Sequence, residues 1–504
     1  MTRTRTRTRA AQIAGLATAS LALAPVLSAP SSAAPAAVTP AATSTVEQPA
    51  LKRIDGRYLV TLEGTATPDG FATEGTRTAV QTLVASAGGR IVTDLSQQIG
   101  VVVVEGATAN LADLLEASTL VDSVGSDFAV KMFADAPEPS ADPLEGQQWD
   151  MQQIRTEQAH AKQAGVPAVD VGVLDSGIDG RHPDFMKNGV SNVDCSRGRD
   201  SLAALPPGVA VGTPDVCSDN QFHGTHVAGT IGARANGLGI VGVAPNVTLV
   251  PVKVCDSSGY CYASPVVDGI TYAGDQQLDV INMSFFVDDN EFQESTEFKC
   301  ASDPVQRTFR QAVERAISYA RSRGVTPVAA LGNSDQDLAH PVGEDGQPIS
   351  NECEVVPAET QGVVGTASLG RRSEKAGYSN YGTGMTDVAA PGGNGQTGNC
   401  STTILSTFPG GGYICIQGTS MASPHAAGVA ALIVSQFGRV GADGDVKLPP
   451  QTVENYLQQT AVDIGLPGYD ECFGNGRIDA FRAVTKTTGL ARDESAPPCP
   501  EYAE

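Results

Sequence analysis

The chain has 504 residues, 41% of them hydrophobic and 18% charged, which is too long for one compact domain and too apolar for general disorder. Its formal charge is −23, and removing the leader arginines Arg3, Arg5, Arg7 and Arg9 takes it to −27, so nucleic acid and anionic membranes are excluded as partners. All ten cysteines follow that leader; an even count with no CxxC or His-rich spacing points to five disulfides in an exported protein rather than a metal site.

The chain opens with MTRTRTRTRA, then AQIAGLATASLALAPVL, then small residues and prolines. This is the order of a secretory signal peptide, assigned to residues 1–34, and the apolar run is too short and Ala-rich for a membrane span. Residues 35–56 read as a flexible linker of Ala, Pro, Ser and Thr. From Arg57 the pattern becomes strand (RYLVTLEG), helix (76–87), strand (RIVTDLS), strand (IGVVVVEG), helix (109–118) and strand (VDSVGSDFAV). The βαββαβ order predicts a small ferredoxin-like α+β domain over 57–133.

A second linker rich in Pro, Asp and Glu spans 134–146, within a large unit placed at 134–490 and followed by a tail at 491–504. In the large unit, short apolar strands (VDVGVLD, VTLVPVKV, LDVINMS, VTPVAAL) alternate with helices at 223–234 and 304–323. The second helix carries Val305, Phe309, Val313, Ile317 and Ala320 at helical spacing, with Gly324 to end it. The alternation predicts an α/β fold: three layers around a mainly parallel sheet. In such folds functional groups collect beyond the carboxyl ends of strands. Three segments fit: Asp175 ending a strand, and His223 and Ser420 each starting a helix.

The motifs DSGIDGRHPDF, HGTHVAGTIGA and GTSMASPHAAG, in the order Asp, His, Ser, resemble the signature regions of the subtilisin family from about Trp149 to Ala483. The chymotrypsin order and the G-x-S-x-G elbow are absent. The resemblance implies a secreted serine endopeptidase, made as a zymogen and acting as a monomer on protein and peptide substrates. His223 is then general base, Asp175 its orienting partner, Ser420 the nucleophile, and Asn333 with the Ser420 N–H the oxyanion donors. It places the substrate-binding edges at Ser258, Gly259 and Tyr260 and at Ser284, Phe285 and Phe286, with Gly332 beside them. The family pattern has glycine where Phe286 stands, which reshapes the first specificity pocket. His226 and His425 are structural in the family. A calcium site is expected at Asp184 and Asn236 with carbonyls of 234–240; no catalytic cofactor is required.

For the small domain the resemblance implies an inhibitory, folding-assistant propeptide. Its last strand reaches the groove with Val130 four residues and Phe133 one residue before a self-cut between Phe133 and Ala134, sites up to Gly146 being the alternative. The expected disulfides are Cys195–Cys217, Cys255–Cys261, Cys400–Cys415, Cys300–Cys353 and Cys472–Cys499. Two other readings stay open: a binding protein that has lost catalysis, and an enzyme dedicated to processing one partner protein.

Overall fold

The computed structural model describes residues 51–64, 71, 74–107, 110–131, 145–286, 298–300, 302–342, 347–441 and 444–499, with backbone alone at 51, 52, 74, 130, 131, 145 and 298–300. The expected signal peptide, the linker as far as residue 50 and the Phe133–Ala134 cut lie outside the described residues.

The N-terminal elements are β1 (Leu51–Leu62), α1 (Glu74–Ser86), β2 (Arg90–Leu95), a helical turn α2 (Ser96–Ile99), β3 (Val101–Glu105), α3 (Leu111–Glu116) and β4 (Val121–Lys131). They form an antiparallel sheet in the order β4-β1-β3-β2, as the βαββαβ reading requires. Strand β1 starts at Leu51, inside the segment read as linker, because the end of β4 supplies its partner: Leu51 lies opposite Val130.

The large unit holds β5 (Asp170–Asp175), β6 (Arg199–Asp200), α4 (His223–Gly232), β7 (Thr248–Lys253), β8 (Tyr260–Tyr262), α5 (Ala263–Asp275), β9 (Val280–Met283), α6 (Pro304–Ser322), β10 (Thr326–Ala330), β11 (Val364–Leu369), β12 (Val388–Pro391) and α7 (Thr419–Phe437). Seven strands form a parallel sheet in the order β12-β11-β10-β9-β5-β7-β6. Every residue of β5, β9, β10, β11 and β12 is buried, as expected of a sheet covered on both faces. Helix α6 shows how local chemistry sets an element. Asp303 caps it through the Gln306 N–H at 2.9 Å, Pro304 occupies the first turn, and Phe309, Ala312, Val313, Ala316, Ile317 and Ala320 form its buried stripe.

The N-terminal sheet lies on α5 and α6. Leu59, Leu95, Val101 and Phe128 join Val266, Ile270, Phe309 and Val313 in one core, and Phe128 meets Phe309 edge to face at 5.4 Å. At the centre of this contact Arg57 and Asp127 form a fully buried ion pair at 2.7 Å. Asp127 Oδ1 accepts the Ser264 N–H at 3.0 Å, capping α5 from the neighbouring sheet, while Arg57 donates to the Ala204 carbonyl at 2.5 Å. Strand β8 extends the N-terminal sheet, with Tyr260 opposite Lys131, Cys261 opposite Val130 and Tyr262 opposite Ala129.

Four disulfides are described: Cys195–Cys217, Cys255–Cys261, Cys400–Cys415 and Cys472–Cys499. The backbone register puts Cys300 opposite Cys353, which is itself disulfide-bonded; the Cys300 side chain is outside the described residues. Cys499 is fully buried, so the segment read as a tail is tied into the domain.

Candidate active site

Asp175 ends β5 and is fully buried; His223 starts α4. His223 Nδ1 lies 2.9 Å and 3.0 Å from the two Asp175 carboxylate oxygens. So close an approach requires a glycine after the histidine: a Cβ on Gly224 would stand 2.1 Å from the Gly177 carbonyl oxygen and 3.1 Å from Asp175 Cβ. His223 N donates to Gln221 Oε1 at 2.9 Å, a second hold on the same residue.

Ser420 is the second residue of α7, where backbone N–H groups have no partner within the helix. Pro424 lies in the same helix and lacks an N–H, so the Ser420 carbonyl loses its helical donor. Ser284, just past β9, replaces it: its hydroxyl donates to the Ser420 carbonyl at 2.9 Å, and its own carbonyl accepts the Ser420 hydroxyl at 2.9 Å. The Asn282 amide and the Ser423 hydroxyl hold Ser284 Oγ in turn, each at 2.8 Å. Sequence reasoning placed Ser284 on a substrate edge and missed this clamp on the nucleophile candidate; the proline four residues after Ser420 was the signal.

Asn333 follows the buried Gly332, whose φ of 109° turns the chain out of the sheet. Its Oδ1 accepts from the Thr419 N–H and the Thr419 hydroxyl, both at 2.9 Å. An N–H can only donate, so the oxygen is committed to Thr419 and the amide NH₂ is presented outward. Gly418, just before α7, sits at φ 153°, a backbone that residues with a side chain rarely adopt.

His226 and His425 are held by the core. His226 Nε2 lies 3.1 Å from the Ile404 carbonyl; burial first, then the charge of His223, pushes it down from 6.5 to about 3. His425 lies 2.8 Å from the Met421 carbonyl and 3.0 Å from Asp150, with both side chains fully buried.

The remaining expected sites lie as follows. Of the residues expected at one substrate edge, Tyr260 begins strand β8, while Asp256 Oδ1 accepts the Ser258 and Tyr260 N–H groups (2.9 and 3.1 Å) and folds Ser258 and Gly259 into a turn. On the other edge Phe285 is buried and the half-exposed Phe286 packs against the core. Calcium was expected at Asp184 and Asn236. Calcium takes six to eight oxygens. Here Asp184 accepts the Ile240 N–H at 2.8 Å and the Tyr413 hydroxyl. Asn236 spends its oxygen on the Leu238 N–H (2.8 Å) and its NH₂ on the Pro183 and Met186 carbonyls (3.1 and 2.9 Å). These bonds tie Asp184 and Asn236 into the loop at 234–240, and the buried Asp184 Oδ1 has no hydrogen bond among them; calcium at this loop stays an expectation.

Residues 167–476 match the model of the Subtilase family. The chain is 33% identical over 316 residues to subtilisin DY of Bacillus licheniformis, covering 63% of this chain and 90% of that protein. It is 32% identical over 336 residues to subtilisin E of Bacillus subtilis (strain 168), covering 66% of this chain and 70% of that one. Among solved structures, the epidermin leader peptide processing serine protease (EpiP) from Staphylococcus aureus superposes with a TM-score of 0.66 at 22% identity, covering 86% of this chain and 99% of that one, a likeness of fold. Parallel sheet, motif order and these matches agree: the chain belongs to the subtilase family and is a serine endopeptidase.

Proposed function

We propose that the chain is a secreted endopeptidase made as a self-cleaving zymogen, with Asp175, His223 and Ser420 as its triad. The observation that carries the assignment is the buried Asp175–His223 pair at 2.9 Å, in a fold that brings Ser420 and Asn333 together at the start of α7. The Ser420 hydroxyl turns from the Ser284 carbonyl to His223 Nε2, gives up its proton there and attacks the peptide carbonyl carbon. Asp175 holds Nδ1–H and stabilises the imidazolium. The oxyanion accepts from the Asn333 NH₂ and the Ser420 N–H. His223 then protonates the leaving amine, and water repeats the sequence on the acyl-enzyme. No catalytic cofactor enters.

The pairing of β8 with β4 supports the zymogen reading, because an added strand is how an extended peptide binds an exposed edge. On that reading residues 57–133 are the propeptide, with Val130 lying opposite Cys261 in the groove and the cut falling between Phe133 and Ala134. The leader at 1–34 supports export, and protein and peptide chains are the substrates. The experiment is to express Ser420→Ala and wild type side by side. Wild type takes a fluorophosphonate label on Ser420 and shows a new N-terminus near Ala134; the variant takes no label and stays uncut. A labelled or self-processed Ser420→Ala would refute the assignment.

A further inference from the structure

The helix that presents His223 begins without a cap of its own. Phe222, at its N-cap, offers no polar side chain and sits at φ 103°, a left-handed backbone that a bulky residue rarely adopts. Something outside the helix must receive its first N–H groups and hold that conformation.

Asp219, only 6% exposed, does both. Its Oδ1 accepts the Gln221 N–H at 3.0 Å, the Phe222 N–H at 2.9 Å and the Ser176 hydroxyl at 2.9 Å. Its Oδ2 accepts the Thr225 N–H at 2.9 Å and the Thr225 hydroxyl at 2.7 Å. Both hydroxyls relay a further bond: Ser176 Oγ accepts the Gly224 N–H at 3.0 Å, and Thr225 Oγ1 accepts the Asp179 N–H at 3.0 Å. Five donors therefore converge on one carboxylate: one on the loop that follows Asp175, two just before α4 and two on the first turn that carries His223.

The loop bearing Asp219 is itself anchored. Lys253, 2% exposed and paired in register with Asp175, donates to the Thr213 and Ser218 carbonyls at 3.1 and 3.0 Å. Burial lowers the affinity of that ammonium for its proton, and Asp219 is the first of the carboxylates that restore it.

We propose that Asp219 is a positioning residue for peptide hydrolysis, fixing His223 against Asp175 so that the imidazole faces Ser420. The inference rests on the triad assignment above. An asparagine has one acceptor and two donors where Asp219 meets five donors, so its NH₂ must face either the Thr225 N–H or the three donors on Oδ1. The first turn of α4 then moves relative to Asp175, and small displacements of reacting groups are costly: Asp219→Asn lowers kcat by about 10- to 100-fold. KM stays within about twofold, since the groove edges at Tyr260–Tyr262 and Ser284–Phe286 receive no bond from Asp219.

The test measures kcat and KM of mature wild type, Asp219→Asn, Ser176→Ala and Ile317→Ala, normalised by active-site titration, on a quenched peptide taken from a casein site that the wild type cuts. Ile317→Ala is the control for destabilisation alone, because Ile317 is a buried residue of α6. The expected result is a fall in kcat for Asp219→Asn, a smaller fall for Ser176→Ala, and an unchanged kcat for the control. Ser176→Ala cuts only one strand of the network and carries the test if Asp219→Asn does not fold. Wild-type kcat in both network variants, an effect on KM alone, or an equal loss in the control overturns the proposal. Activity remaining in Ser420→Ala overturns the triad instead, which keeps the two failures distinct.

Discussion

His226 makes acid stability a calculable quantity. It is fully buried, and its pKa falls from 6.5 to about 3 on folding, chiefly through loss of solvation. Above pH 6.5 the ring is neutral in both states and costs nothing. Below it the unfolded chain binds a proton that the folded chain refuses, so stability falls with pH down to about 3. At 1.36 kcal/mol per unit, the loss between pH 6.5 and 4.5 is about 3 kcal/mol. His226→Gln keeps an N–H for the Ile404 carbonyl and removes the titration. Both proteins are made in the Ser420→Ala background, so that autolysis does not interfere, and unfolded in urea. The single tryptophan, Trp149, is buried and reports the transition. The expected outcome is a stability difference between the two proteins that shifts by about 3 kcal/mol from pH 7 to 4.5, in favour of the glutamine at low pH. A difference that stays constant over this range would refute the reasoning.

Other outcomes follow from single contacts. Ser284→Ala leaves the Ser420 carbonyl and the Asn282 amide short of partners, at about 1–3 kcal/mol each, and urea midpoints should fall with the turnover number. Arg57→Ala strands the buried Asp127 and removes about 3–5 kcal/mol from the uncut Ser420→Ala protein, measured by faster hydrogen exchange in β1 and β4; unchanged exchange would count against a stabilising role of the ion pair. Tyr413→Phe removes a bond to Asp184 and should speed thermal inactivation, and if calcium binds at Asp184 and Asn236 a chelator should speed it as well. An inactivation rate unchanged on chelation would count against the calcium expectation.

Much of this protein was legible from residue order alone, and the reason is local. Period-two and period-3.6 patterns, turn residues and caps act over a few residues, so the βαββαβ order, the buried stripe of α6 and the helix starts at His223 and Ser420 could be read directly. The elements of chemistry were legible too, since the motifs around Asp175, His223 and Ser420 place each residue at a strand end or helix start. What only the tertiary structure decided was choice of partner. Strand β1 begins at Leu51 because β4 extends to meet it, and strand β8 begins at Tyr260 because Asp256 folds the residues before it. Tyr413, far along the chain, closes the loop beside Asp184 where a metal was expected. Asp219 and Ser284 show the same limit. A carboxylate or hydroxyl accepts whatever donor the fold delivers, and which donors arrive depends on strand order and helix packing, not on neighbours in sequence.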